Sequence, residues 1–160
     1  MSARAGALEH CPNCGGRLEA VVEEREIRVG DRSARVLDEF ARCAACAEEL
    51  YAPGQLDATL RRTSDAIRES EGLLLPAQIR ALREALGLSQ RAFEELLGVG
   101  PKTVVRWEKG TVFQNKATDA LLRVVSEYPE VARFLAARHG VELAGAAPSR
   151  RPGRARQPRR

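Results

Sequence analysis

The sequence predicts an α+β chain made of two small domains. Three observations carry that expectation. Cys11, Cys14, Cys43 and Cys46 form two Cys-x-x-Cys pairs, and the 28 residues between the pairs alternate apolar and charged side chains as strands do. After residue 72 the alternation gives way to apolar residues at helical spacing, punctuated by glycines. Charge is also unevenly placed: residues 1–71 carry a net −4, residues 72–147 a net +2, and residues 148–160 six arginines with no acid. A length of 160 residues suffices for two small domains. The expected boundaries are 1–71 for a metal-binding domain with a linking helix, 72–147 for a helical domain, and 148–160 for a basic tail.

The first Cys-x-x-Cys is followed by Gly15-Gly16, which allow the positive φ that a metal knuckle needs. Arg17 to Val29 and Arg32 to Arg42 read as two strands, with Val21, Ile27 and Val29 alternating on one arm and Val36 and Phe40 on the other. Gly30-Asp31 is the turn, so the hairpin brings both cysteine pairs to its open end. Four thiolates suit tetrahedral zinc and leave no open coordination position. One structural Zn2+ per chain is therefore expected on Cys11, Cys14, Cys43 and Cys46, in preference to redox pairs or unrelated thiols. His10 is expected to be an exposed neighbour rather than a ligand. A lobe with so little apolar material draws much of its stability from the metal. Its acids Glu23, Glu24, Glu26, Asp38 and Glu39 form either a binding face or simply a solvated one.

Pro53 to Ser70 reads as a linking helix, with Leu56, Leu60, Thr63 and Ile67 at helical spacing. Ile79, Leu82 and Leu86 then mark a helix that starts at Pro76 and stops at Gly87, with Arg80 and Arg83 on its outer side. Ser89 is an N-cap for a short helix carrying Phe93, Leu96 and Leu97, which Gly98 ends. Gly100-Pro101 is expected to restart a helix, because proline fits the first helical position. On this second helix Val104 and Trp107 share an inward face, while Lys102, Thr103 and Arg106 share a polar, basic one. Two short helices joined by a glycine turn, the second with one buried and one basic stripe, describe a helix-turn-helix whose second helix enters the DNA major groove. Thr111 to Lys116 is a loop. Ala117 to Tyr128 and the segment from Pro129 form two more helices. One helix cannot bury both Leu121/Val125 and Leu122 within one side, so this end holds either a dimer contact or the rest of one small core. His139 has no role assigned by the sequence. The tail from Pro148 lacks apolar residues and is expected to be disordered, adding non-specific phosphate contacts or none.

Gln90, Gly98-Val99, Val104 and Arg106-Trp107-Glu108-Lys109-Gly110 at these offsets resemble the Cro/repressor-type helix-turn-helix family. Glu94 departs from that family, which has a small residue there; a long carboxylate is expected to point outward. Together with the four cysteines, Leu121-Leu122-Arg123 and Tyr128-Pro129-Glu130, the chain from about Cys11 to about Leu135 resembles the MqsA-type antitoxins, also called YgiT-type zinc-finger proteins. The resemblance implies a zinc lobe that engages a partner toxin and a C-terminal lobe that dimerises on operator DNA and represses the operon. The basic face assigns DNA contacts to Lys102, Thr103 and Arg106, with Gln90 and Lys109 beside it, and the family's base-reading arginine falls on Arg106. The family's base-reading asparagine falls on Lys102, which changes the base preference from adenine towards guanine edges.

Three function classes follow. The first is a repressor that is also the antitoxin of a toxin encoded by an adjacent gene, double-stranded operator DNA and a second copy of the chain being its other partners. The second is a zinc-ribbon regulator without a toxin. The third, a metalloenzyme or redox protein, is disfavoured because no His or Glu set surrounds an open metal position and four thiolates saturate zinc. No apolar run resembles a signal peptide or a membrane span, so a cytoplasmic protein with reduced thiols is expected.

Overall fold

The computed structural model describes residues 9–143, so the basic tail expected over 148–160 lies outside the described residues. The chain divides into two compact units. One runs up to Pro76 and also takes in Gly110–Gln114; the other comprises Ala77–Lys109 and the chain from Asn115 onward.

The first unit is built on a hairpin of β1 (Leu18–Val29) and β2 (Arg32–Cys43), antiparallel from Leu18↔Cys43 to Val29↔Arg32. The connection is the expected two-residue turn, with Gly30 at φ +67°. A third strand, β3 (Glu49–Leu50), pairs with Ala41 and Arg42. Two residues are too few to show alternation, so the sequence did not announce it. Helix α1 (Gln55–Ser70) packs on the inward face of the hairpin.

That helix keeps Thr63 and Ile67 inward as expected, but its first turn departs from the expected line, with Leu60 only half-buried. Leu56 is exposed, and the buried line is Thr59, Thr63, Ser64, Ile67 and Arg68. The cause is Asp38, which was grouped with the acids of the hairpin's surface but is fully buried. Its carboxylate accepts from Tyr51 Oη (2.7 Å) and Thr59 Oγ1 (3.0 Å), and Arg25 lies 3.7 Å away. A buried carboxylate needs such donors, so the helix presents threonines to it. Thr63 and Ser64 donate to Thr59 O and Leu60 O, which satisfies their hydroxyls inside the helix.

Arg68 is the other buried ionic group of this unit among the described residues. It donates to Gly110 O (3.0 Å) and Val112 O (3.3 Å), pairs with Asp65 at 3.3 Å, and stacks over Phe113 at 4.5 Å. Arg32 lies at the same distance over Phe113. Burial pushes the Arg68 guanidinium below its ordinary value, and the Asp65 charge offsets part of that. These contacts place Gly110–Gln114 in the first unit.

The second unit is all-helical: α2 (Pro76–Ala85), α3 (Gln90–Leu97), α4 (Thr103–Glu108), α5 (Lys116–Glu127) and α6 (Pro129–His139). Its core is Ile79, Phe93, Leu96, Val104, Trp107, Leu122 and Val125. Ser89 caps α3 as expected, accepting from Ala92 N at 3.1 Å, and Gly98 ends it at φ +66°. Asn115 caps α5 through Thr118 N. His139 Nδ1 donates to Glu95 O at 2.8 Å, so the end of α6 satisfies a last-turn carbonyl of α3. On α5, Leu122 and Val125 are buried, while Val124, Tyr128 at the junction with α6, and Phe134 on α6 stay exposed. Among the described residues no helix is long and apolar enough to cross a membrane.

Candidate metal centre and nucleic-acid interface

The hairpin register places Cys43 opposite Leu18, so the second cysteine pair lies beside the loop that carries the first. Two backbone knuckles of the same form hold the thiols. In the first, Gly15 N donates to Cys11 O and Cys11 N to Gly16 O, both at 2.8 Å; in the second, Ala47 N donates to Cys43 O and Cys43 N to Glu48 O, both at 2.9 Å. The left-handed residue is four past the first cysteine in each, Gly15 at φ +74° and Ala47 at φ +59°. Gly16 is required by close approach: a Cβ there would lie 2.8 Å from Ala45 Cβ and 2.9 Å from Cys43 Sγ.

The four sulfurs lie within 4.8 Å of one another, with Cys11 and Cys46 at 3.7 Å and Cys14 and Cys43 at 3.5 Å. Tetrahedral Zn–S bonds of about 2.3 Å require sulfurs about 3.8 Å apart, so the donor set fits zinc. Disulfide bonds need about 2.05 Å, and all four cysteines are free. The electrostatics also call for a cation. Amides of Cys46 and Ala45 draw the Cys43 thiol down to about 7. The Glu48 amide draws Cys46 down too, but the sulfurs of Cys14, Cys43 and Cys11 together with burial outweigh it and hold that thiol up at about 12. Four thiolates this close cannot all ionise unless a cation sits among them, and a metal ion reverses that balance. His10 lies outside the cluster, its backbone bridged to Arg17.

In the second unit, α4 starts two residues later than expected. Thr103 N donates to Gly100 O at 3.3 Å, closing a turn with Pro101 at its second position and Lys102 at its third. Lys102 has φ +62° and ψ +10°. Proline fits the second position of a type II turn, whose third requires positive φ, so Pro101 shapes the turn and does not open the helix. Lys102 becomes the N-cap and makes no side-chain capping bond.

The first turn of α4 is held by Glu94 instead. This carboxylate turns inward, contrary to the outward direction expected, and its Oε1 accepts from Val104 N at 3.0 Å. An acidic group is favoured at a helix N-terminus, where backbone N–H groups lack partners. At the other end Glu108 is buried and accepts from Arg83 Nε (2.6 Å) and Nη2 (3.2 Å) and from Gln90 Nε2 (2.8 Å), with Arg80 at 3.5 Å. Burial pushes the Glu108 carboxyl up, but the bonds from Arg83 and Gln90 and the charges of Arg83 and Arg80 outweigh it and leave it below its ordinary value. Arg83, expected on the outer side of its helix, is drawn inward by this pair.

With both ends anchored, α4 carries Val104 and Trp107 in the core and leaves Lys102, Arg106 and Lys109 exposed, with Thr103 half-buried between them. Gln90 gives its amide to Glu108, yet it also borders a groove of about 610 Å³ with Arg91, Lys102 and Val105. The residues expected to touch DNA therefore lie on α4 and on the groove beside it.

The profile of the family described as the antitoxin component of bacterial toxin-antitoxin systems, MqsA, matches residues 9–135. The chain is also 31% identical over 91 residues to Antitoxin MqsA of Escherichia coli (strain K12), covering 56% of this chain and 69% of that protein. The chain belongs to the MqsA antitoxin family. Its cofactor, on the family and on the four converging thiols, is one structural Zn2+. When bound, the ion joins the two knuckles at the open end of a hairpin whose packing against α1 is largely polar.

Lys102 holds a left-handed conformation at the position where the resemblance implies an asparagine. Asparagine takes positive φ readily, and lysine does not. Sequence reasoning missed Glu94, Glu108, Arg83 and Asp38 as inward groups. The only signal for Glu94 was negative, a long side chain where a small one was expected.

Proposed function

We propose that the chain is the antitoxin of a type II toxin-antitoxin pair, working in the cytoplasm, and that it represses its own operon by binding operator DNA as a homodimer. The observation that carries this is the family match, which extends over both units. The α4 face supports the DNA half. Arg106, exposed in the middle of the helix, suits guanine O6 and N7, with Lys102 and Thr103 reading beside it and Lys109 at the C-cap meeting phosphate. Gln90 contributes mainly by fixing Glu108. The domain division at 71/72, with the tail beyond 147 apart, belongs to the same reading.

The hairpin supports the toxin half. Glu23 is bound to Arg25 and Arg42, and Asp38 is buried, so neither is offered to a partner. More outward is a patch in which Val22 faces Glu39 and Glu24 faces Leu37 across the strands, with Glu39 3.6 Å from Arg62 and Glu24 3.9 Å from Arg35 in open, solvent-exposed pairs. Val22 and Leu37 are 62% and 59% exposed. Two apolar side chains crossed by two carboxylates suit a basic protein surface, such as that of a toxin which holds RNA phosphates.

The test has two arms. Each flanking open reading frame is expressed alone and with the chain; one is expected to arrest growth alone and to be neutralised and co-purified with it. If neither neighbour is toxic or bound, a zinc-ribbon regulator without a toxin replaces the antitoxin. In the second arm, Arg106→Ala is expected to lose about 1–3 kcal/mol of specific binding to a duplex from upstream of the gene. Parental affinity in that variant overturns the assigned face.

A further inference from the structure

We propose that Glu94 is a positioning residue for base recognition, one that sets what the first turn of α4 reads without itself meeting DNA. This rests on the DNA-binding reading above. Helix α4 has six residues and does not hold its own shape in isolation. Its N-cap residue, Lys102, supplies no side-chain bond, so the N–H of the fully buried Val104 depends on the carboxylate of Glu94. The same residue also fixes the preceding turn, because its backbone carbonyl accepts from Gly98 N and Val99 N. One residue of α3 thus holds both the end of its own helix and the start of the next.

Removing the carboxylate strands a buried N–H, which regains a partner only if the first turn moves out to water. Lys102 and Thr103 would move with that turn. Arg106 stands next to Trp107 and Glu108, which stay anchored to the core and to Arg83 and Gln90. The effect of losing Glu94 is therefore uneven along the helix. Discrimination falls at the base pairs read from the N-terminal turn and survives at those read by Arg106.

The experiment uses the full-length, zinc-loaded protein and a duplex from upstream of its own gene, changed one base pair at a time. The parent and Arg106→Ala first define which positions are read and which of them depend on Arg106. A parent without base preference removes the DNA-binding reading itself, and this inference with it. With a base-reading parent, Glu94→Ala is expected to lose roughly tenfold in discrimination at the positions independent of Arg106 and to keep the others. Glu94→Gln retains an oxygen acceptor at the same reach and is expected to keep the parental profile. Glu94→Asp keeps the charge but is one methylene short and is expected to behave like alanine, which serves as the test if the alanine variant does not fold. The proposal is overturned if Glu94→Ala or Glu94→Asp keeps the full profile, if either weakens all positions equally, or if Glu94→Gln behaves as they do.

Discussion

At the scale of single residues, the two knuckles form a natural comparison. They share one hydrogen-bonding pattern, yet the left-handed position is glycine in the first and alanine in the second. Alanine at φ +59° carries a steric penalty that glycine avoids, while glycine adds entropy to the unfolded chain. The steric term is the larger, so Ala47→Gly is expected to stabilise the zinc lobe by about 0.5–1 kcal/mol, measured as a raised denaturation midpoint of the zinc-loaded protein. Gly16→Ala is expected to do the opposite, because its new Cβ meets Ala45 and a zinc-ligating sulfur. Competition with a chelator is expected to show zinc held at least about tenfold more weakly in that variant. Gly15-Gly16 was legible in the sequence as a knuckle. Its counterpart at Ala47 was not, since no glycine marks the turn and only the backbone repeat reveals it.

At the scale of elements, α4 is an anchored helix whose anchors are ionic. Arg83 and Glu108 form a nearly dry pair, with the carboxylate 1% and the guanidinium 12% exposed. Arg83→Ala leaves that carboxylate buried without its main partner and is expected to cost about 3–5 kcal/mol. The pH dependence of the parent follows from the lowered carboxyl of Glu108. Its contribution is complete above the ordinary glutamate value of 4.5 and is lost as pH falls through the lower folded value. Arg83→Ala removes the main bond and charge that outweigh burial and leaves only Gln90 and Arg80, so the Glu108 carboxyl is expected to move up and the acid-side loss of stability to begin at higher pH than in the parent. Trp107 is the single tryptophan and adjoins Glu108, so its fluorescence reports this unfolding locally. A parental acid profile in Arg83→Ala would count against the anchor. The same pair shows why legibility stopped where it did. Period-two and helical spacing located β1, β2 and every helix of the second unit, because they record which apolar residues face inward. They assign charged residues to the outside by default. Asp38, Arg68, Glu94 and Glu108 are all buried, and each is there because a specific donor or acceptor meets it from a distant part of the chain.

At the scale of the whole molecule, the question is what covers the apolar side chains that neither unit buries. On α5, at the α5–α6 junction and on α6 respectively, Val124 is 39%, Tyr128 50% and Phe134 65% exposed. The sequence posed two alternatives for this end, a single core or a dimer contact. Leu122 and Val125 have gone into the core, and these three are left outside it. Exposed apolar groups gain free energy when a second surface removes them from water. A second copy of the chain is the partner that DNA reading calls for, since helix-turn-helix modules of this type bind two half-sites about 34–36 Å apart. Phe134→Glu is therefore expected to convert a dimer to a monomer in sedimentation at micromolar concentration. Trp107 unfolding and zinc content should be unchanged, because Phe134 contributes to neither the core nor the metal centre. Operator affinity is expected to drop by about 100-fold, since the second half-site no longer benefits from the effective concentration that a joined partner supplies. Binding to a duplex carrying one half-site should barely alter. A variant that stays dimeric would move the two-fold contact off α5 and α6, and an operator affinity equal to the parent's in a proven monomer would remove the need for the dimer.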